Sequence, residues 1–517
     1  MTSPAYGIIF NRDNTDPRPA QSTDMSVIGL VLPSDDADAT VFPLNEPVDF
    51  NSSDVAFLTK MGTGDLAKAV KAIDSQLGDF QVAARIVAVR VAKGGNDAAT
   101  ITNIIGDRAA TTANGYVGTG LYALLRAGQQ LGVIPRVIGC PGYTWQTTAG
   151  SPTLTKAANA ANTGNGTMSN PSAQTGLMAG VYKVDFTSAT AFTVTDPMGN
   201  VVASGSAGTA FATQVGFTIT AGNTAFVAGD GFTITVVGVV QANPIVAALP
   251  SILSALLAHA VVGGPGAGAT AAANWFSTIT SGRIIPVDAW RKVADSDGST
   301  RLEDGVAAVM GLFVRVDFKH GGYPFWSVSG QQVNGTIGLK NYYPFSLTDG
   351  ATVGQELLAD HIGIISRGEI GVETAIASNG FVFAGVWNAD TDPLWWFYNK
   401  TRGRDWAHLA LMKSIRLRLG VENVTPHGVQ AVLNDMIAIG QDLINHKCSV
   451  GFRVGFEAAG NSANDLRQGK FRVFFATEEP APITQVTIDS RPNYEALVVE
   501  LSTLIAQSAS IPAVYLQ

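Results

Sequence analysis

Charge is scarce in this chain. Of its 517 residues only 14% are Asp, Glu, Lys or Arg, well below the usual quarter. The formal net charge is −8, and there is no basic tail and no run of Lys or Arg, so binding to nucleic acid is not expected. Cysteine is scarcer still. Two residues, Cys140 and Cys448, do not make a disulfide framework. No window offers the ~18 apolar residues of a membrane span. The first residues lack a charged segment followed by an apolar one, so no secretory leader is expected and folding in a cytoplasm is. No internal repeat of fixed period occurs.

Catalytic signatures are missing as well. The six histidines (His259, His320, His361, His408, His427 and His446) form no His-x-x-x-His set, and no Cys-x-x-Cys occurs. His446 and Cys448 are at most a weak ligand pair. There is no Gly-x-Ser-x-Gly elbow. The run GGPGAGAT places Gly264, Gly266 and Gly268 after the strand-like HAVVGG and ahead of a helical segment. Yet the third glycine of a dinucleotide fingerprint is absent, and so is a phosphate-loop lysine. GYVGTG at 115–120 has the wrong spacing. Both read as tight turns, so no cofactor, no metal and no enzymatic activity are expected.

What the chain has is apolar bulk: 46% hydrophobic residues, with 56 glycines and frequent Ala, Thr and Val. A chain of this length exceeds one core, and two to four domains are expected. Residues 1–24 read as an arm. From 25 onward strands and helices alternate. MSVIGLVL and ATVFPL are predicted strands. Ser53 to Leu77 is a predicted helix with Asp54 as N-cap and Leu66, Ala69, Val70 and Ile73 on one face. ARIVAVRVAKG is a strand, TGLYALLRAGQQLG a helix ended by Gly132, and PRVIGCPG another strand. This alternation argues an α/β layer.

The texture changes after residue 150. Residues 151–242 are first loop-like, then all strand and turn, with period-2 alternation in AFTVTD and GFTITV. That predicts a small sandwich-like β-domain inserted into a loop of the α/β body. The body resumes over 243–370, where AAVMGLFVRVDF reads as a strand. A last domain is expected over 371–510, with helices at Trp406–Leu419 and Gly428–Asn445, a hairpin, and a final helix NYEALVVELSTLIAQ. Residues 511–517 form a second arm. The fold class is therefore mixed α/β and α+β, multidomain, with an all-β insert.

The two ends are distinctive. TSPAYGIIFNRDNTDPRPAQSTDMSVIGLV and SIPAVYLQ are short, Pro-punctuated and partly apolar, which suits edge strands. Such arms suggest a subunit that lends strands to its neighbours.

The order of these segments is similar to that of contractile phage tail sheath proteins and related injection-machine sheaths. SPAYGIIFNRDNTDPRPAQSTDMSVIGLV resembles that family's opening. ADHIGIISRGEIGVETAIASNGFVFAGVWNADTDPLWWFYNKTRGRDW resembles the approach to its C-terminal domain. The closest likeness lies in VGFRVGFEAAGNSANDLRQGKFRVFFATEEPAPITQVTI, with Asn464, Asp465, Gly469, Pro480 and Pro482 at the family's loop and Pro-x-Pro positions. Two departures stand out. The family's Trp-Gly-x-Arg-Thr run is replaced by FAGVWNADTD, where only Trp387 is retained, and the insert is not common to the family.

The resemblance implies a structural subunit that polymerises helically around a tail tube and contracts to drive it through the host envelope. It would be a homo-oligomer meeting tube, baseplate and tail terminator proteins, located in the virion tail after assembly in the host cytoplasm. Another virion lattice protein, such as a capsid or surface component, is the alternative. Within the sheath reading, Ala5, Tyr6, Gly7, Ile8, Ile9 and Phe10 form the donated N-terminal strand. Ala513, Val514, Tyr515 and Leu516 form the C-terminal one. The acceptor is the hairpin carrying Gly451, Phe452, Val454 and Phe456 on one strand and Phe471, Val473 and Phe475 on the other. A basic stretch with Arg402, Arg404, Lys413, Arg416 and Arg418 is either a contact to an acidic inner tube, or a solvated face, or one paired with acidic neighbours in the lattice. Cys140 and Cys448 are either buried thiols or partners in a disulfide within or between subunits.

Overall fold

The computed structural model describes residues 24–78, 82–295 and 297–509. Two compact bodies divide the chain, the first ending at Ala481 and the second beginning at Pro482.

The first body is organised by a six-stranded sheet. Its strands are β1 (Ile28–Pro33), β2 (Pro47–Asn51), β3 (Arg85–Val91), β4 (Val137–Gly139), β5 (His259–Gly263) and β6 (Ile284–Val287), in the order β6-β5-β4-β1-β3-β2. All neighbours are parallel except β2, which runs antiparallel to β3 at the edge. The sequence IGLVLP of β1 is buried at every position, as a central strand covered on both faces requires. Helix α1 (Asp65–Asp74) buries Leu66, Ala69, Val70 and Ile73, the face expected from their spacing, and helix α2 (Pro244–Leu256) buries Ile245, Val246, Leu249, Ile252, Leu253 and Leu256. The predicted long helix is broken ahead of α1, because Gly62 takes φ +76°. Asp54 instead caps a separate short turn, accepting from the Ala56 N–H at 3.0 Å.

Two expectations change. ATVFPL is not a strand. The Asp38 carbonyl accepts the N–H groups of both Val41 and Phe42, closing a turn, and Pro43 has no N–H to offer a ladder. AAVMGLFVRVDF is helical, within α3 (Val306–Lys319), where residues Val306 to Asp317 are all buried. A helix covered on every side loses its amphipathic period and looks like a buried strand.

Between β4 and β5 the chain runs through two antiparallel sheets. Five strands pair in the order Val201–Ser206, Ala191–Thr195, Gly180–Phe186, Gly231–Val237, Thr153–Ala158. A second sheet centres on Val215–Thr220. Their side chains, including Tyr182, Phe192, Phe217 and Ile234, form a hydrophobic cluster separate from that around the central sheet. At the base, Thr148–Ala149 pairs with Val240–Gln241, so the chain leaves and returns at one place.

After α3 come helices α4 (Tyr398–Ile415) and α5 (Pro426–Asn445) and an antiparallel hairpin of β7 (Gly451–Phe456) and β8 (Val473–Glu478). The second body carries helix α5's successor in sequence, α6 (Tyr494–Ala509), preceded by residues 482–493, which form neither helix nor strand. Among the described residues no helix is long and apolar enough to cross a membrane.

Candidate assembly surface

The hairpin pairs in register from Gly451 opposite Glu478 to Phe456 opposite Val473. Among the described residues it is a two-stranded sheet, so neither outer edge has a third strand. Phe471 precedes the ladder rather than joining it. The hairpin lies against α5 through Phe452, whose ring occupies the place where a side chain on Gly440 would stand. Phe452 also stacks on Phe475, with centroids 6.3 Å apart. Asn461 holds the hairpin's far end, donating from Nδ2 to the Arg472 carbonyl at 2.8 Å and accepting from the Arg472 N–H at 2.6 Å. Sequence reasoning passed over Asn461. Of the positions it did single out, Asp465 lies on the short helix Ala463–Arg467 capped by Ser462, and Gly469 makes the following turn at φ +78°.

The N-terminal half of α4 fixes the other end. Arg404 donates to both carboxylate oxygens of Glu479 at 2.7 Å and to the Thr477 carbonyl at 2.8 Å. Lys400 reaches Glu478 at 3.1 Å, and Asn399 donates to the carbonyls of Phe325 and Pro480. Arg402 points the opposite way. It is wholly buried, pairs with Asp317 on α3 at 2.6 Å, and donates to the Met25 carbonyl at 3.1 Å. Burial raises the pKa of Asp317, and the Arg402 guanidinium opposes that rise. Met25 itself sits in a cluster with Phe325, Trp406, Leu443 and Cys448. The described chain thus begins rooted under the hairpin's supporting helices. Asp317 and Met25 were not legible as partners of Arg402, since nearly 380 residues separate the farthest pair.

The side chains of the basic stretch point in different directions. Arg402 has no exposed surface to present to a tube. Arg404 is engaged by Glu479, and Arg418 pairs with Asp435 at 2.6 Å. Arg416 is exposed, and with Lys413 it lines a groove below α4. Cys140 and Cys448 are both free and buried, and burial pushes each thiol up to about 12. The proposed donor strands at 5–10 and 513–516 lie outside the described residues.

The glycine loop is a closed turn. Its Gly266 N–H donates to Asp288 Oδ1 at 2.6 Å, and Trp290 Nε1 donates to the Gly264 carbonyl at 2.9 Å. A carboxylate of the chain already faces the amide that a phosphate would use. Among the described residues no group of three or more His, Cys, Asp or Glu is placed to hold a metal ion.

No family model matches the chain. Among curated proteins, it is 42% identical over 140 residues to the major tail sheath protein of Serratia phage KSP20, covering 26% of this chain and 33% of that one. It is 34% identical over 148 residues to the tail sheath protein of Escherichia phage P2, covering 28% and 35%. Over these stretches the chain is similar to contractile tail sheath proteins. Its matches span about a third of the length of these two relatives. The fold agrees along nearly the whole chain. The PVC sheath of an extracellular contractile injection system, solved in its contracted state, superposes with a TM-score of 0.54 at 10% identity, covering 96% of this chain and 99% of that one.

Proposed function

We propose that this chain is a non-enzymatic subunit of a contractile tail sheath, polymerising as a helical lattice around a tail tube and contracting to drive the tube through the host envelope. The observation that carries the reading is the hairpin β7–β8. Among the described residues it is a two-stranded sheet with open edges, mounted on α4 and α5 by Arg404, Asn399 and the Phe452–Gly440 packing. Each open edge offers a row of backbone donors and acceptors, which an extended arm satisfies by strand addition.

The arms at 5–10 and 513–516 are the strands donated to a neighbour's hairpin. A net backbone bond contributes only ~1 kcal/mol, but several form per strand and every subunit gives two. The buried root at Met25 then transmits load from the arm into α3 and α4 through Arg402 and Asp317. Contraction needs no nucleotide if the extended lattice is a metastable assembly released by a trigger. Partners in this reading are further copies of the chain, the tube, the baseplate and a tail terminator. The virion tail is the site of action after assembly in the host cytoplasm. The inserted sheets, residues 151–242, decorate the outer surface.

Negative-stain microscopy of the purified chain tests the reading: hollow helical tubes are expected, where a capsid protein gives shells. Deleting residues 1–12 should leave a folded monomer that no longer polymerises. Normal tubes from that truncation would remove the strand-exchange argument.

A further inference from the structure

The described chain begins at the mouth of a groove. Asp24, its first residue, lines a cavity of about 1120 Å³ below the C-terminal half of α4. The walls are largely apolar. Val27, Ile134 and Leu257 come from the segments entering β1, β4 and β5, and Leu409, Met412 and Ile415 come from α4. Ile134 and Met412 are exposed, and an uncovered apolar surface of this kind marks a contact site. Charge does not choose the occupant. Arg136 is buried and donates to the Leu256 carbonyl. At Lys413, Asp24 offsets the positive charges of Arg416 and Arg136. Apolar surface and reach decide what lies here.

Residues 1–23 lie outside the described residues and join the body at this mouth. Their apolar run is AYGIIF, residues 5–10. In an extended segment Tyr6, Ile8 and Phe10 share one face. The 13 residues 11–23 separate Phe10 from Asp24, and they span at most ~45 Å. That exceeds the ~27 Å length of the 18-residue α4, so the whole groove is within reach. A tether of this length holds the segment at an effective concentration on the order of millimolar. A second copy in dilute solution has no such advantage.

We propose that in the unassembled subunit residues 5–10 lie in the α4 groove of their own chain, with Tyr6, Ile8 and Phe10 on its apolar wall, and that this contact holds back polymerisation. It rests on the sheath reading, in which the same residues are donated to a neighbour's hairpin. One segment cannot occupy both places. The stowed fraction lowers the segment's apparent affinity for a hairpin. Subunits therefore stay single until the end of a lattice presents edges that out-compete the groove.

The test uses the full-length chain carrying Ile8→Cys and Met412→Cys, kept dilute and oxidised. Cys140 and Cys448 are buried and stay silent. A disulfide within one chain is expected. It should form about tenfold faster than in a chain carrying Ile8→Cys and Val55→Cys, whose second position is exposed on a separate turn and open to the tether alone. Met412→Glu places a charge in the groove at an exposed position, and it should shorten the lag before tubes form severalfold. The proposal is overturned if the two cysteine pairs close at equal rates, or if Ile8→Cys links only between chains. It is also overturned if Met412→Glu leaves the lag unchanged or lengthens it. Each of these results leaves the sheath reading standing, because wild-type tubes report on that separately. A wild-type chain that makes no tubes under any assembly condition sinks both.

Discussion

Arg402 Nη2 stands 2.6 Å from Asp317 Oδ2, with its guanidinium 4.6 Å from the centroid of Phe313. Neither partner's side chain is more than 1% exposed. The same nitrogen donates to the Met25 carbonyl, and Ser26 Oγ donates to Asp317 at 3.3 Å. One buried pair therefore ties the start of the described chain to α3 and α4. Arg402→Ala strands the Asp317 carboxylate in an apolar site, and a loss of about 3–5 kcal/mol is expected in denaturant unfolding. Replacing both partners together, Arg402→Met with Asp317→Leu, should recover most of that loss, because the cost lies in the uncompensated charge. A single variant within 1 kcal/mol of wild type would show that the pair does not hold this junction.

His259 sets an acid limit on stability. It is fully buried, and neither ring nitrogen has a hydrogen-bond partner. Asp405, 3.8 Å away, is already engaged by Arg283. Burial, then the charges of Arg283 and Arg402, hold the imidazole far below its ordinary 6.5. The folded state keeps His259 neutral while the unfolded chain takes up a proton below that pH. Stability on this account is full above pH 6.5 and falls as pH drops, by up to ~1.4 kcal/mol per unit. Asp304 acts in the opposite sense. Burial lifts its carboxyl to about 7 from 3.8, so the folded state binds the extra proton and gains as pH falls between those values. The two are separated by variants: His259→Leu should match wild type at pH 7.5 and exceed it progressively below 6.5. Parallel stability curves for the two proteins would remove His259 from the account.

The cysteines give a chemical check. With both thiols buried and pushed up to about 12, the thiolate fraction at neutral pH is very small, and reactivity follows the thiolate. Reaction with a thiol reagent should be slow in the native protein and yield two equivalents once denaturant is added. Assembled protein should run as a monomer on non-reducing gels. A covalent dimer ladder from wild-type tubes would contradict the buried positions.

What the sequence made legible divides along physical lines. The amphipathic face of α1 and the hairpin strands at 451–456 were readable because half-buried elements keep a period. α3 was misread because burial on every side, Val306 through Asp317, erases it. The basic stretch from Arg402 to Arg418, on α4 and just past its end, was legible as composition, but not as different fates for Arg402, Arg404, Arg416 and Arg418. Arg402 turns inward to residues far off in sequence, Arg404 turns to Glu479, Arg418 to Asp435, and Arg416 stays exposed. Partner choice depends on the tertiary path, which local patterning does not encode. Asn461 was missed for a related reason: a lone polar residue in a loop gives no signal until Arg472 comes to face it.

The inserted sheets should be removable. Their core includes Phe186, Phe192, Phe226 and Ile234, and among the described residues the only buried one from the α/β body that joins it is Ala273. The chain enters and leaves through the paired Thr148–Ala149 and Val240–Gln241, with Val240 opposite Ala149. Replacing residues 150–239 with Asn-Gly closes this ladder with a two-residue hairpin turn, the shortest connection that matches strand twist. The side chain of Asn274 would lose its bonds to Ala179 and Leu177, at 2.7 and 3.1 Å, but excision opens that surface to water, which replaces them at small cost. The shortened chain is expected to fold with a Tm within about 5 °C of wild type and to polymerise into tubes of smaller outer diameter. A shortened chain that is insoluble, or whose tubes keep the wild-type diameter, would mean that the insert is part of the load-bearing wall rather than a decoration on it.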